Sequence, residues 1–329
     1  MTIARNTNKF SIISDRLVCL VEMPSQLTVL EADNFKNKFN LITQNPQITK
    51  NSIFDIGKTT FIDSSGLLVL QRIFQTLENT ESNLVFWSFS PPVNKILLLV
   101  GLDNSFKEHP GTEASDFTNQ KLKVKLAFHP SVLSKSKRLL DICGALIGLT
   151  ITAILFVPIA IMIKLDSPGP IFFQQTRHGH LCKKFLIWKF RSMVTNADKL
   201  KHQVENQVNG PLFKNKNDPR ITKVGHYLRK TSLDELPQFW NILKGDMSLV
   251  GTRPPTEDEV KNYEPTYAQR LDVKPGLTGE WQITGRSENN DFTEVLRLDL
   301  QYQQNCSLLY DIKLIIKTIP KILSKNSQA

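Results

Sequence analysis

Short β-rich runs alternate with segments of helical period through the first third of the chain. Candidate strands fall at residues 9–14, 17–22, 52–56 and 84–89, and residues 28–43 and 64–77 between them read as helices. In the second helix Leu67, Leu70, Phe74 and Leu77 recur three or four residues apart and line one apolar face. This alternation predicts a small α/β or α+β domain. Residues 110–136 are polar and then basic, the composition of a linker. The expected boundaries are a first domain at 1–118, a linker at 119–136 and a second domain at 137–329.

The pattern changes at residues 142–163, ICGALIGLTITAILFVPIAIMI, a run of 22 residues without a charge. That is enough helix to cross a hydrocarbon layer of about 30 Å. A buried soluble helix is the alternative, but such helices rarely stay charge-free over this length. Lys135, Lys137 and Arg138 precede the run and Lys164, Arg177, Lys183 and Lys184 follow it, so flanking charge assigns no orientation. Pro158 lies inside, where it removes a helix hydrogen bond and favours a kink. A membrane helix at about 138–165 that enters and leaves by the same face accommodates both features. A simple span is the other reading, since prolines also occur in spanning helices. Near the C-terminus Ile312, Ile315, Ile316 and Ile319 form a stripe, with Lys313, Lys317 and Lys321 four residues apart beside it. That segment suits either an anionic bilayer surface or packing on the second domain.

Charge sharpens the division. The 329 residues carry a formal +10 with a pI near 9.3, which points to an anionic partner. Residues 1–118 hold 10 Lys and Arg against 12 Asp and Glu, so the whole excess lies beyond them. No recognised nucleic-acid motif accompanies it, and no nucleic acid is expected as a partner. Cys19, Cys143, Cys182 and Cys306 are far apart with no CxxC, which argues against a zinc site or disulfide framework and fits a reducing cytosol. The opening MTIARNTNKF has no apolar run and predicts no secretory signal peptide. His178 and His180 would face the same way on a strand, but without a third ligand nearby they are assigned no metal.

Ordered motifs fill the second domain: DSPGPIFFQQTRHG, WKFRSM, NDPRITKVGHYLRKTSLDELPQFWNILKGDMSLVGTRPP, KPGLTGEWQITGR and RLDLQYQQNCSLLYDIKLIIKT. Together they resemble the monotopic polyprenyl-phosphate phosphoglycosyl transferases, bacterial sugar transferases that initiate capsule, O-antigen and exopolysaccharide assembly. The resemblance runs over residues 137–325. It implies a mainly α-helical, membrane-embedded domain whose re-entrant helix bends at a Ser-Pro pair, here Val157-Pro158. It also implies a catalytic pair at Asp234 and Glu235. Asp234 would attack the phosphorus attached to the sugar of a UDP-sugar, expel UMP and pass the phosphosugar to polyprenyl (undecaprenyl) phosphate. Mg²⁺ is the implied cofactor, held by Asp234 or Glu235. Arg229 and Arg253 match family arginines that contact phosphate and sugar nucleotide, although Thr252-Arg253-Pro254 stands where Pro-Arg-Pro is usual. Lys189, Arg191 and Arg286 are further candidates for the anionic pocket. Without the resemblance Asp234-Glu235 would read as a surface acidic pair, with Ser232 and Glu235 as a capping box. Pro237 argues against that helix start.

In the first domain IFDIGKTTFIDSSGLLVL resembles the signature of STAS domains, the anti-sigma-factor antagonist fold. The resemblance covers residues 10–108 and places a phosphorylatable serine at Ser64, modified by a partner kinase. The plainer reading is that Ser64 or Ser65 caps the following helix, with phosphorylation additional. The expected whole is a STAS-like regulatory domain joined to a transferase on the cytoplasmic face of a bacterial inner membrane, with a regulatory protein as partner. The rival is a membrane-anchored STAS signalling scaffold whose transferase part is inactive.

Overall fold

The computed structural model describes residues 11–15, 18–43, 51–78, 83–101, 128–208, 210–213, 215, 217–284 and 291–323. The chain divides into two compact units. The first gathers Met1–Phe128 with Leu181–Lys183 and Glu264–Asp272. The second gathers His129–His180, Lys184–Tyr263 and Val273–Ala329.

In the first unit the chain runs β1 (Ser11–Asp15), β2 (Val18–Glu22), β3 (Gln26–Leu27), α1 (Val29–Thr43), β4 (Asn51–Ile56), β5 (Phe61–Ile62), α2 (Ser64–Glu78), β6 (Asn83–Phe89) and α3 (Pro91–Val100). The main sheet has the order β1-β2-β4-β6, antiparallel at β1/β2 and parallel at β2/β4 and β4/β6. Parallel neighbours need a crossover, which α1 and α2 supply. In β4, Phe54 and Ile56 are buried while Ile53 and Asp55 are only half-buried, the period-two pattern of a strand. Phe54 and Ile56 share a core with Val21, Phe35, Leu67 and Leu70. The four predicted strands and two predicted helices are all present. The two-residue pair β3/β5 and helix α3 were not foreseen. For α3 the signals were present: prolines open it, and Gly101 closes it in the left-handed conformation at φ 75°. At Gly66 a Cβ would lie 2.3 Å from the carbonyl oxygen of Leu27, so only glycine lets the first turn of α2 lie against β3.

The second unit is mostly helical. Its elements are α4 (Pro130–Leu133), α5 (Lys135–Asp166), β7 (Phe172–His178), β8 (Lys184–Phe190), α6 (Lys223–Lys230), α7 (Gln238–Lys244), β9 (Ser248–Val250), α8 (Glu257–Lys261), β10 (Gly276–Thr278), α9 (Glu280–Thr284), α10 (Phe292–Asn305) and α11 (Leu308–Leu323). β7 pairs antiparallel with β8, and β9 pairs parallel with β10. Helix α5 has 32 residues, contains Pro158, and is long and apolar enough to cross a membrane by length and composition. Many of its large side chains face outward: Ile147, Ile154, Val157 and Leu165 are exposed, Ile154 to 70%, while Ile159 and Ile163 are buried. Its inward face is small in places. A Cβ at Gly148 would lie 2.4 Å from the ring of Phe239, and one at Gly144 2.5 Å from Leu249. Small residues let α7 and β9 approach the helix axis, whereas a soluble surface helix would bury its large residues.

Two of the basic residues flanking the apolar run are held inside the unit. Lys137 Nζ donates to Asp311 Oδ2 at 2.5 Å and to Tyr302 Oη at 3.2 Å, and the Tyr302 hydroxyl donates to Asp311 Oδ1 at 2.8 Å. Arg138 donates to the carbonyls of Ile242 and Leu243 at the end of α7, at 2.7 and 2.6 Å. Helix α11 packs within the unit by a face beside its isoleucine stripe, three of whose four residues, Ile312, Ile316 and Ile319, are exposed. Asp311 and Leu314 are buried, while Ile316, at 61% exposed, and Ile319 face outward.

Candidate active site

The site is built where α6, a short 3₁₀ turn and β8 meet. Thr222 caps α6 by accepting from Gly225 N at 3.0 Å, and Gly225 passes so close to Ser192 that a Cβ would lie 2.0 Å from its carbonyl oxygen. This contact brings Arg229, one turn on, to donate from Nε to Ser192 Oγ at 2.9 Å. Ser232 then takes the left-handed conformation at φ 57° and turns the chain into the 3₁₀ helix Leu233–Glu235. Pro237 becomes the residue before α7. The capping-box reading of Ser232 and Glu235 therefore fails, because Ser232 makes no side-chain cap and Glu235 pairs elsewhere.

Asp234 is only 5% exposed, which also excludes the surface-pair reading. Glu235 Oε1 lies 2.8 Å from Nζ of Lys189 on β8. Burial lowers the pKa of the Arg229 guanidinium, and the nearby charges of Asp234 and Asp218 oppose that shift. Asp218 itself forms a buried fork with Arg220, 2.7 Å between Oδ2 and Nη2. Burial pushes its carboxyl up, but the Arg220 hydrogen bonds outweigh burial and hold it below the usual range. Lys189, Arg229, Asp234 and Glu235 thus lie in one place.

Arg253 lies in a neighbouring cluster. It holds Glu259 with both Nη atoms, at 2.9 and 3.1 Å, and Glu259 also completes a capping box with Thr256 at the start of α8. Burial would raise the Glu259 carboxyl, but Arg253 holds it below the usual range. Arg177, read from the sequence only as a flanking charge, joins this cluster by donating from Nη1 to the Pro254 carbonyl at 2.9 Å. Sequence reasoning missed both Arg177 and Glu259. The T-x-x-E spacing of Thr256 and Glu259 was a readable signal for the second.

The remaining predicted residues lie elsewhere. Arg191 donates to the carbonyls of Ser167 and Pro168 at 2.6 and 2.9 Å, where it closes the C-terminal end of α5. Arg286 lies outside the described residues. Ser64 sits in the first unit at 0% exposure. The cap of α2 is Asp63, not Ser64 or Ser65: its Oδ1 accepts from Gly66 N at 2.9 Å and its carbonyl from Leu67 N at 3.0 Å. Ser64 N donates to Asp272 Oδ1 at 2.9 Å.

Residues 132–325, more than half the chain, match the family model of the bacterial sugar transferases, and the chain belongs to that family. Residues 10–115 match the model of the STAS domain. Among named relatives, the galactosyl transferase CpsE of Streptococcus agalactiae is 50% identical over 190 residues, which are 57% of this chain and 42% of that protein. The exopolysaccharide production protein ExoY of Rhizobium meliloti is 40% identical over 200 residues, 58% of this chain and 88% of that protein. The UDP-glucose:undecaprenyl-phosphate glucose-1-phosphate transferase of Escherichia coli is 42% identical over 193 residues, 56% of this chain and 39% of that protein. The match thus spans about two-fifths of the length of CpsE and of the Escherichia coli transferase, and most of ExoY.

Proposed function

We propose that the chain transfers a hexose 1-phosphate from a UDP-sugar to polyprenyl phosphate, with Asp234 as nucleophile, and so initiates synthesis of a bacterial polysaccharide. The names of its relatives support the substrate classes. The observation that carries the mechanism is the placement of Asp234, buried on a tight turn with Arg229 close by and Glu235 already neutralised by Lys189. A carboxylate oxygen of Asp234 attacks the phosphorus bearing the sugar, the bond to UMP breaks, and UMP leaves with the electron pair. An oxygen of the lipid phosphate then attacks the same phosphorus and restores the carboxylate. The product is polyprenyl diphospho-sugar. Arg229 and Arg253 supply the charge that lets one anion approach another.

Asp234 and Glu235, the latter also paired with Lys189, would hold Mg²⁺, which takes one or two carboxylates and completes its shell from phosphate and water. When bound it would offset charge on the diphosphate. The exposed aliphatic face of α5 supports seating the domain in a bilayer, read here as the cytoplasmic leaflet of the inner membrane with the helix bent back at Pro158, as the family resemblance implies. The STAS part is proposed to receive a regulatory protein or kinase.

A panel of labelled UDP-sugars, incubated with membranes carrying the protein, tests this reading through UMP release and labelled lipid. Asp234→Asn is expected to abolish both, and label is expected to stay on wild-type protein when lipid is withheld. Normal turnover by Asp234→Asn would defeat the mechanism.

A further inference from the structure

The cluster around Glu259 holds more cation than its carboxylate uses. Glu259 is saturated: Oε2 accepts from Arg253 Nη1 at 2.9 Å and Thr256 N at 3.0 Å, and Oε1 accepts from Arg253 Nη2 at 3.1 Å. Arg177 reaches the same place from the end of β7. Its strand position is fixed by a bridge to Thr256 and by the bond from His178 N to the Pro255 carbonyl at 3.0 Å. Nη1 is taken by Pro254, but its buried Nε has no hydrogen-bond partner among the described residues. Two guanidiniums therefore press on one carboxylate. Burial and the Arg253 charge both oppose protonation of Arg177 and pull its pKa down to about 10, while Glu259 and Glu235 pull the other way. A guanidinium with a buried, spare donor beside a like charge is costly to keep unless an anion completes it.

We propose that Arg177 and Arg253 together form a two-guanidinium site for the diphosphate of the sugar nucleotide, with Arg177 as a substrate-binding residue. This rests on the transferase reading for the identity of the anion. A diphosphate suits the pair better than a single phosphate does, because Arg177 can donate to one phosphate group through its unpartnered Nε while the charge of Arg253, whose Nη pair stays on Glu259, would offset the other. The same oxyanion chemistry belongs to the lipid phosphate, so the test has two arms.

The experiment measures equilibrium binding of UDP, and separately of a short-chain polyprenyl phosphate, to the full chain in nanodiscs. Arg177→Gln is expected to weaken UDP binding by about tenfold to a hundredfold, the loss of a charge-assisted bond pair, with lipid-phosphate binding changed less than threefold. Should that variant fold poorly, Arg177→Lys, which keeps the charge without the fork, is expected to weaken UDP binding by three- to tenfold at an unchanged melting temperature. UDP affinity at the wild-type level in either folded variant overturns the assignment, as does a loss confined to the lipid phosphate. Turnover by Asp234→Asn is read in parallel. If that variant turns over normally while UDP binding still depends on Arg177, the covalent mechanism falls and this site stands.

Discussion

The first unit should loosen as pH rises from about 4 toward neutrality, and Asp272 is the reason. Its Oδ1 accepts the Ser64 amide at the first turn of α2, where Asp63 is already bound to Gly66 N and Val29 N at 2.9 and 3.1 Å. Burial, then repulsion from Asp63, raises the Asp272 carboxyl from 3.8 to about 7, and burial raises Asp63 as well. A raised folded-state value means the native protein holds its proton more tightly than the unfolded chain. The stabilisation is thus complete below about pH 4 and is lost as pH climbs to about 7. At about 1.4 kcal/mol per unit, the change between pH 5 and pH 8 comes to roughly 2–3 kcal/mol. Asp272→Asn keeps an oxygen acceptor for Ser64 and removes the charge, so it should flatten this dependence and leave the unit more stable at pH 8. Hydrogen exchange of the α2 amides, corrected for the intrinsic pH dependence of exchange, measures it on the intact protein. Equal slopes in wild type and Asp272→Asn, or wild-type protection that grows with pH, would refute the reasoning.

Other expectations concern the second unit. Asp311→Asn leaves the Lys137 ammonium buried without its counter-ion and should cost about 3–5 kcal/mol in detergent-solubilised thermal unfolding. Lys137→Met combined with Asp311→Leu should recover most of that loss. Arg191→Gln should lower the melting point by weakening the end of α5, at roughly 1–3 kcal/mol, with UDP affinity within twofold of wild type. A large affinity loss at unchanged stability would return Arg191 to the pocket. Gly225→Ala drives a methyl into the Ser192 carbonyl and should displace Arg229, seen as at least a tenfold fall in kcat/KM, about 1.4 kcal/mol or more. Wild-type kinetics would show that the α6 contact does not position Arg229.

Local period made much of the first unit legible. The strand around Phe54 and the helix around Leu67 and Leu70 repeat at two and at three to four residues, and packing follows that repeat. β3 and β5 have two residues each and so no period to read. Asp234 was picked out only by a motif, since its burial comes from the left-handed Ser232 and the approach of Gly225 to Ser192, neither visible in hydropathy. Charges misled most often. Lys137 looked like a membrane flank because its partners Tyr302 and Asp311 are 165 and 174 residues away. Arg177 looked the same, and its place beside Arg253 depends on a strand bridge far along the chain.

The outward-facing aliphatic side chains of α5 also govern how the protein behaves at the bench. In plain buffer such a surface would gather whatever oily material is at hand, including other copies of itself. A particle size measured in water would then describe that self-adhesion, so any count of subunits should be taken in a lipid disc, where the same side chains already have hydrocarbon for company.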